Sequence, residues 1–150
     1  MGWEIHQMDV KTAFLNGVIE EEVYIEKIKG FEMHEEKTHV CRLKRALYRL
    51  KQAPRAWYGW IDSYLQKMGF FMSDTDPNLY YLRVGDEPLI LVLYVDDLFL
   101  TGSSGLIQYY KENLAIEFDM RDLVRMHYFL GLEVWQQKGE IFLGQGRYTT

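Results

Sequence analysis

The order of apolar and polar positions divides these 150 residues into short strands and two helices. Trp3–Val10 alternates well enough for a strand ending near Asp9, and Asn16-Gly17 after it is a turn or cap signal. Val18–Glu36 is an acidic excursion with one short strand candidate, Val23-Tyr24-Ile25. Pro54 suits the first position of a helix. Trp57, Trp60, Ile61, Tyr64, Leu65 and Met68 then form an apolar stripe at helical spacing, closed by Gly69. Helical periodicity explains every member, so the stripe reads as core packing, not as a base-stacking platform. Asp74–Asn78 is a loop, Leu79–Val84 a strand, and Gly85-Asp86-Glu87-Pro88 a turn. A second helix over 106–118 carries Leu106, Tyr110, Leu114 and Phe118 on one face, and His127–Trp135 with Glu140–Leu143 forms a last hairpin. The sum is one α+β domain over residues 1–150, an antiparallel sheet backed by two main helices, with no repeat and no linker.

The chain is organised around Leu89–Thr101, in which eleven of thirteen residues are apolar or β-formers and the other two are Asp96 and Asp97. On a regular strand, neighbouring side chains point to opposite faces, so one of two adjacent carboxylates would enter the core. A buried unpaired carboxylate is very costly. A hairpin resolves the conflict: Leu89–Tyr94 runs up, Val95-Asp96-Asp97 turns, and Leu98–Thr101 returns. Both carboxylates then sit at an exposed tip, where two like charges invite a divalent cation. An ordinary turn that happens to use Asp would look the same over these residues alone.

Composition narrows the classes. At 48% hydrophobic, the chain can bury one real core. It has no run of about 18 apolar residues, which excludes a membrane-spanning helix, and no secretion signal precedes the first strand. One cysteine, Cys41, excludes an internal disulfide and suits a reducing, intracellular compartment. The four histidines (His6, His34, His39, His127) make no zinc pattern. The net charge of −5 is unevenly spread. Glu20 to Glu36 has seven glutamates against two lysines, whereas Arg42 to Arg55 has six basic residues and no acidic one. A basic stretch interleaved with Tyr48 and Trp57 suits a phosphate backbone or a triphosphate.

Asp9 is a third acid at a strand end. If its strand neighbours the central hairpin, Asp9, Asp96 and Asp97 converge at one sheet edge. Such a set can hold two Mg²⁺ (or Mn²⁺) ions for phosphoryl transfer.

Five ordered blocks carry a resemblance. They are Gln7–Gly17 (QMDVKTAFLNG), Leu47–Tyr58 (LYRLKQAPRAWY), Tyr94-Val95-Asp96-Asp97, Glu117–Leu123 (EFDMRDL) and Tyr128–Val134 (YFLGLEV). Together they resemble the reverse transcriptase of copia-type LTR retrotransposons, abundant in plant genomes, over nearly the whole chain. The resemblance implies a right-hand polymerase palm with Asp9, Asp96 and Asp97 as catalytic and metal-binding triad. It implies that Phe14 is a steric gate against the ribose 2′-hydroxyl. Lys51, Gln52 and Tyr94 would lie at the nucleotide and template, and Tyr128–Val134 would hold the primer end. The implied partners are an RNA or DNA template with its primer, a dNTP, and the fingers, thumb and RNase H parts of a Pol polyprotein.

This sequence departs from the family pattern in places. Arg49 and Val124 stand where glycine is usual, Lys27-Ile28 replaces Gln-Pro, and Gly144 replaces Ser. The chain starts just before Asp9 and stops before any thumb-like segment, so the 150 residues alone are expected not to polymerise. The alternative is a non-catalytic retroelement relic that keeps the fold and weak nucleic-acid contact. Another palm-like nucleotidyl transferase, such as a cyclase, is disfavoured by Lys51-Gln52-Ala53-Pro54-Arg55.

Overall fold

The structure, a computed structural model, describes residues 2–17, 22–26, 40–45 and 50–146. In chain order the first elements are β1 (His6–Val10), α1 (Ala13–Asn16), β2 (Tyr24–Glu26), β3 (Val40–Arg42) and α2 (Ala53–Lys67). Then come β4 (Phe71–Met72), β5 (Leu79–Val84), β6 (Glu87–Tyr94), β7 (Asp97–Gly102) and α3 (Ser104–Glu117). The last are β8 (Met120–Arg125), β9 (Tyr128–Phe129), β10 (Leu132–Gln137) and β11 (Glu140–Gly144). Arg49, His34, His39, Lys27-Ile28 and most of the acidic excursion lie outside the described residues.

The chain forms two compact units, one of residues 1–11 and 65–150, the other of residues 12–64. The first is built on a six-stranded sheet in the order β4-β5-β6-β7-β1-β8, with every neighbouring pair antiparallel. Alternation sorts its side chains. Leu89, Leu91 and Leu93 of β6, Leu98 and Leu100 of β7, and Met8 and Val10 of β1 share one face and are almost fully buried. α3 lies against β6, β7 and β8 and buries Ile107, Tyr110 and Leu114. Each such side chain contributes about 1.5–3 kcal/mol when taken from water. A three-stranded sheet, β11-β10-β9, follows, and Gln136 of β10 ties it to the start of β1. Its amide accepts from Ile5 N–H at 2.7 Å and donates to the Ile5 and Met126 carbonyls at 3.0 Å each.

The second unit holds α1, a β2–β3 ribbon and most of α2. α2 buries Trp57, Ile61 and Leu65 of the expected stripe, and Gly69, two residues past its end, has φ +94°. Asn16-Gly17 is not a left-handed helix cap, since Gly17 is extended at φ −67°. Glycine is required there for another reason. A Cβ would stand 2.8 Å from the Trp57 backbone nitrogen and 2.9 Å from the Ala56 Cβ, so only glycine lets that helix turn approach.

Three strands were invisible in the pattern. β3 and β4 have three and two residues, too few for a period. β8 carries Arg121, Asp122 and Arg125 in six residues because it is a sheet edge, where charge is favoured over apolar alternation. Among the described residues no helix is long and apolar enough to cross a membrane.

Candidate active site

β1 lies between β7 and β8, and its register puts Asp9 directly opposite Asp97. Gln7 and Asp9 alternate with the buried Met8 and Val10, so they share a face with Asp97 and Phe99, the face turned away from α3. Asp96 is in the two-residue loop Val95-Asp96 that joins β6 to β7. The Val10 N–H donates to the Asp96 carbonyl at 2.8 Å and fastens that loop to the end of β1.

The hairpin thus resolves the conflict of adjacent acids, but the two are not equivalent. Asp96 is exposed on the loop, whereas Asp97 is half-buried as the first residue of β7. Its Oδ1 accepts a hydrogen bond from Gln7 Nε2 at 2.9 Å. Burial pushes the Asp97 carboxyl above its usual range, the Gln7 amide opposes this, and the charges of Asp96 and Asp9 push it further up.

Val95 adopts φ +56°, a left-handed conformation that a β-branched side chain enters at a cost of about 1–3 kcal/mol. A two-residue hairpin loop of this form normally has glycine at that position. The full register on both sides, Leu89↔Gly102 to Tyr94↔Asp97, holds it in place.

Charges alternate along the neighbouring edge. Arg121 of β8 stands opposite Asp9, and Lys11 Nζ is 3.0 Å from Asp119 Oδ1. On the other side, Phe129 of β9 packs edge-on against Tyr94 (5.2 Å between centroids) and Phe99 (4.6 Å). The Leu130-Gly131 turn, with φ +48° and +81°, then returns the chain into β10. The β9–β10 hairpin therefore sits beside the aspartate loop on the acid face.

Asp9, Asp96, Asp97 and Tyr94 are thus brought together in one unit. Phe14, half-buried on α1, belongs to the other unit, as do Lys51 and Gln52, which precede α2. Arg42, from the basic stretch, pairs with Glu22 at 3.3 Å across the ribbon, so its charge is partly matched. The donor chemistry of Asp9, Asp96 and Asp97, all hard carboxylate oxygens, fits Mg²⁺ or Mn²⁺. Among the described residues, no three His, Cys, Asp or Glu side chains are gathered tightly enough to enclose an ion as they stand. The residue that composition and motif did not single out is Gln7. Its signal was its place two residues before Asp9 on an alternating strand, which assigns it to the same face.

The family model described as reverse transcriptase (RNA-dependent DNA polymerase) matches residues 1–150. This chain belongs to the reverse transcriptase family. It is 41% identical over 149 residues to the retrovirus-related Pol polyprotein from transposon TNT 1-94 of Nicotiana tabacum, covering 97% of this chain and 11% of that protein. It is 39% identical over 148 residues to the Pol polyprotein from transposon RE2 of Arabidopsis thaliana, covering 98% and 10%. The corresponding polyprotein from transposon RE1 of the same plant is 40% identical over 147 residues, covering 97% and 10%. This reverse transcriptase domain is thus of the copia type and spans about a tenth of the length of those plant relatives. No solved structure matches it.

Proposed function

We propose that this chain is the palm of a copia-type reverse transcriptase, built for DNA synthesis on an RNA or DNA template. The observation that carries the reading is Asp9 standing opposite Asp97 with Asp96 in the adjoining loop, in a chain of this family. Asp9, Asp96 and Asp97 would hold two Mg²⁺ ions, which supply an activated primer hydroxyl and neutralise charge at the α-phosphate of a dNTP. The chain's own residues bring the rest. β1 and β7 keep two acids at fixed separation, while the Val10–Asp96 backbone bond sets where the third is carried. The β9–β10 hairpin would hold the primer end, a reading supported by the packing of Phe129 against Tyr94 and Phe99 of the aspartate hairpin. Phe14 would exclude ribonucleotides sterically, and Lys51, Gln52 and Tyr94 would meet the nucleotide and template.

Three neighbouring carboxylates repel one another, so a cation that binds only the folded state raises stability by mass action. Millimolar Mg²⁺ or Mn²⁺ should raise the melting temperature of the 150-residue chain, and Asp96→Asn should blunt the response. A folded chain whose melting ignores both cations would count against the triad.

A further inference from the structure

Gln7 and Lys111 are the two polar or charged side chains that are buried among the described residues. Lys111 is explained by its ion pair with Asp122. Gln7 has its amide in the acid site. We propose that Gln7 is a positioning residue for Asp97: its buried amide holds one carboxylate oxygen, so that Asp97 meets a divalent cation with the other. This rests on the metal-binding reading given above.

Register supplies the first argument. Gln7 pairs with Phe99 and is therefore diagonal to Asp97, a separation that a glutamine spans and an asparagine does not. Among the described residues, the Asp97 carboxylate has no other hydrogen-bond partner, which leaves Oδ2 for a ligand. Burial supplies the second. Gln7 is 8% exposed and Phe99, beside it, is 9% exposed and covered by Phe129. A hydrogen bond partly shielded from water holds its geometry more firmly than an exposed one, and the buried amide would be costly to leave unpaired. Chemistry supplies the third. Lysine here would neutralise the carboxylate and compete with a cation, and glutamate would add a fourth negative charge. An amide donates a proton without carrying charge.

Outer partners of metal-binding carboxylates are worth about 10–100-fold in metal affinity. Titration of the 150-residue chain with Mn²⁺, reading free ion by electron paramagnetic resonance, tests the proposal without any turnover. Gln7→Met keeps the length and volume of the side chain and should weaken Mn²⁺ binding about tenfold. The loss should vanish in an Asp97→Asn background and persist in an Asp96→Asn background, because only the first removes the partner. In the wild type, the Gln7 side-chain amide resonance should move on adding Mg²⁺ and should also move in Asp97→Asn. This readout stands even if Gln7→Met does not fold. Wild-type affinity in Gln7→Met, an equal loss with and without Asp97, or an amide signal indifferent to Mg²⁺ would each overturn the positioning role. If the folded wild type binds no Mn²⁺, the metal reading falls and this proposal with it, a result distinct from the other three.

Discussion

Lys111 Nζ lies 2.6 Å from Asp122 Oδ1 and joins α3 to the edge strand β8, on the face of the sheet opposite Asp9 and Asp97. The ammonium is buried and its partner half-exposed, so the two ends of the pair are not equivalent. Burial alone would raise the Asp122 carboxyl. The hydrogen bonds from Lys111 and the Val124 N–H, with the lysine charge, more than reverse this and hold it below the usual range. Removing the acid strands a buried cation. Asp122→Asn should therefore lower unfolding free energy by roughly 2 kcal/mol, less than for a fully buried pair because the acid is half in water. Lys111→Met, which removes the buried charge, should stay within about 1 kcal/mol of the wild type. Urea denaturation of both variants checks the asymmetry.

His6 sits on the same face, with its Nδ1 3.4 Å from Lys111 Nζ and Glu4 near its Nε2. Burial, then the Lys111 charge, holds its pKa below the ordinary 6.5, with Glu4 and Asp122 pulling the other way. Below about pH 6.5 the unfolded chain therefore takes up a proton that the folded chain still refuses. Stability should fall as pH drops through that window, and His6→Gln should flatten the slope. Melting curves between pH 7.5 and 5.5 give the comparison.

Val124 has φ +62° and is 58% exposed, so its side chain gains little from burial while its backbone is strained. Its N–H donates to Asp122 Oδ1 at 2.8 Å, which fixes the register irregularity of β8 against β1 without help from the valine side chain. Val124→Gly should stabilise the fold by about 1 kcal/mol, since left-handed geometry costs about that much for an L side chain. Val124→Ala should recover much less. A melting temperature lowered by the glycine would show that the φ is not the controlling factor.

The 150 residues alone are expected to give no primer extension with Mg²⁺ and dNTPs on an RNA template. Phosphoryl transfer depends on held substrates, and a chain of net charge −5 attracts nucleic acid weakly. Product above that of an Asp96→Asn, Asp97→Asn control would refute this. In a longer active polymerase carrying this segment, Phe14→Ala should raise ribonucleotide use relative to deoxyribonucleotide use. An unchanged ratio would leave Phe14 as a packing residue.

The central hairpin was legible because adjacent aspartates inside an apolar run admit few backbone solutions. The α2 stripe was legible because six residues kept one period. α3 begins at Ser104, slightly before the apolar periodicity shows, since its first turn is polar. Unequal burial of Asp96 and Asp97 was not legible, because it depends on which residue ends the loop and on the β9–β10 cover. For Gln7 the alternation assigns the face but not the partner, which lies ninety residues away in the chain. Left-handed φ at Val95 is equally hidden, as valine is a residue that sequence rules assign to strands.

β1 is the first strand of the chain and an interior strand of the sheet, flanked by β7 and β8 from beyond residue 96. Within this chain its partners are made only from the β6–β7 hairpin onward, and its insertion closes contacts of very long sequence separation. Folding of this sheet should thus be slow and late-committing, with an apolar β7 edge bare until β1 arrives, which makes intermediates prone to association. Asp9 meets Asp97 only through the β1–β7 pairing, so the acid pair comes into being with that long-range contact and not before it.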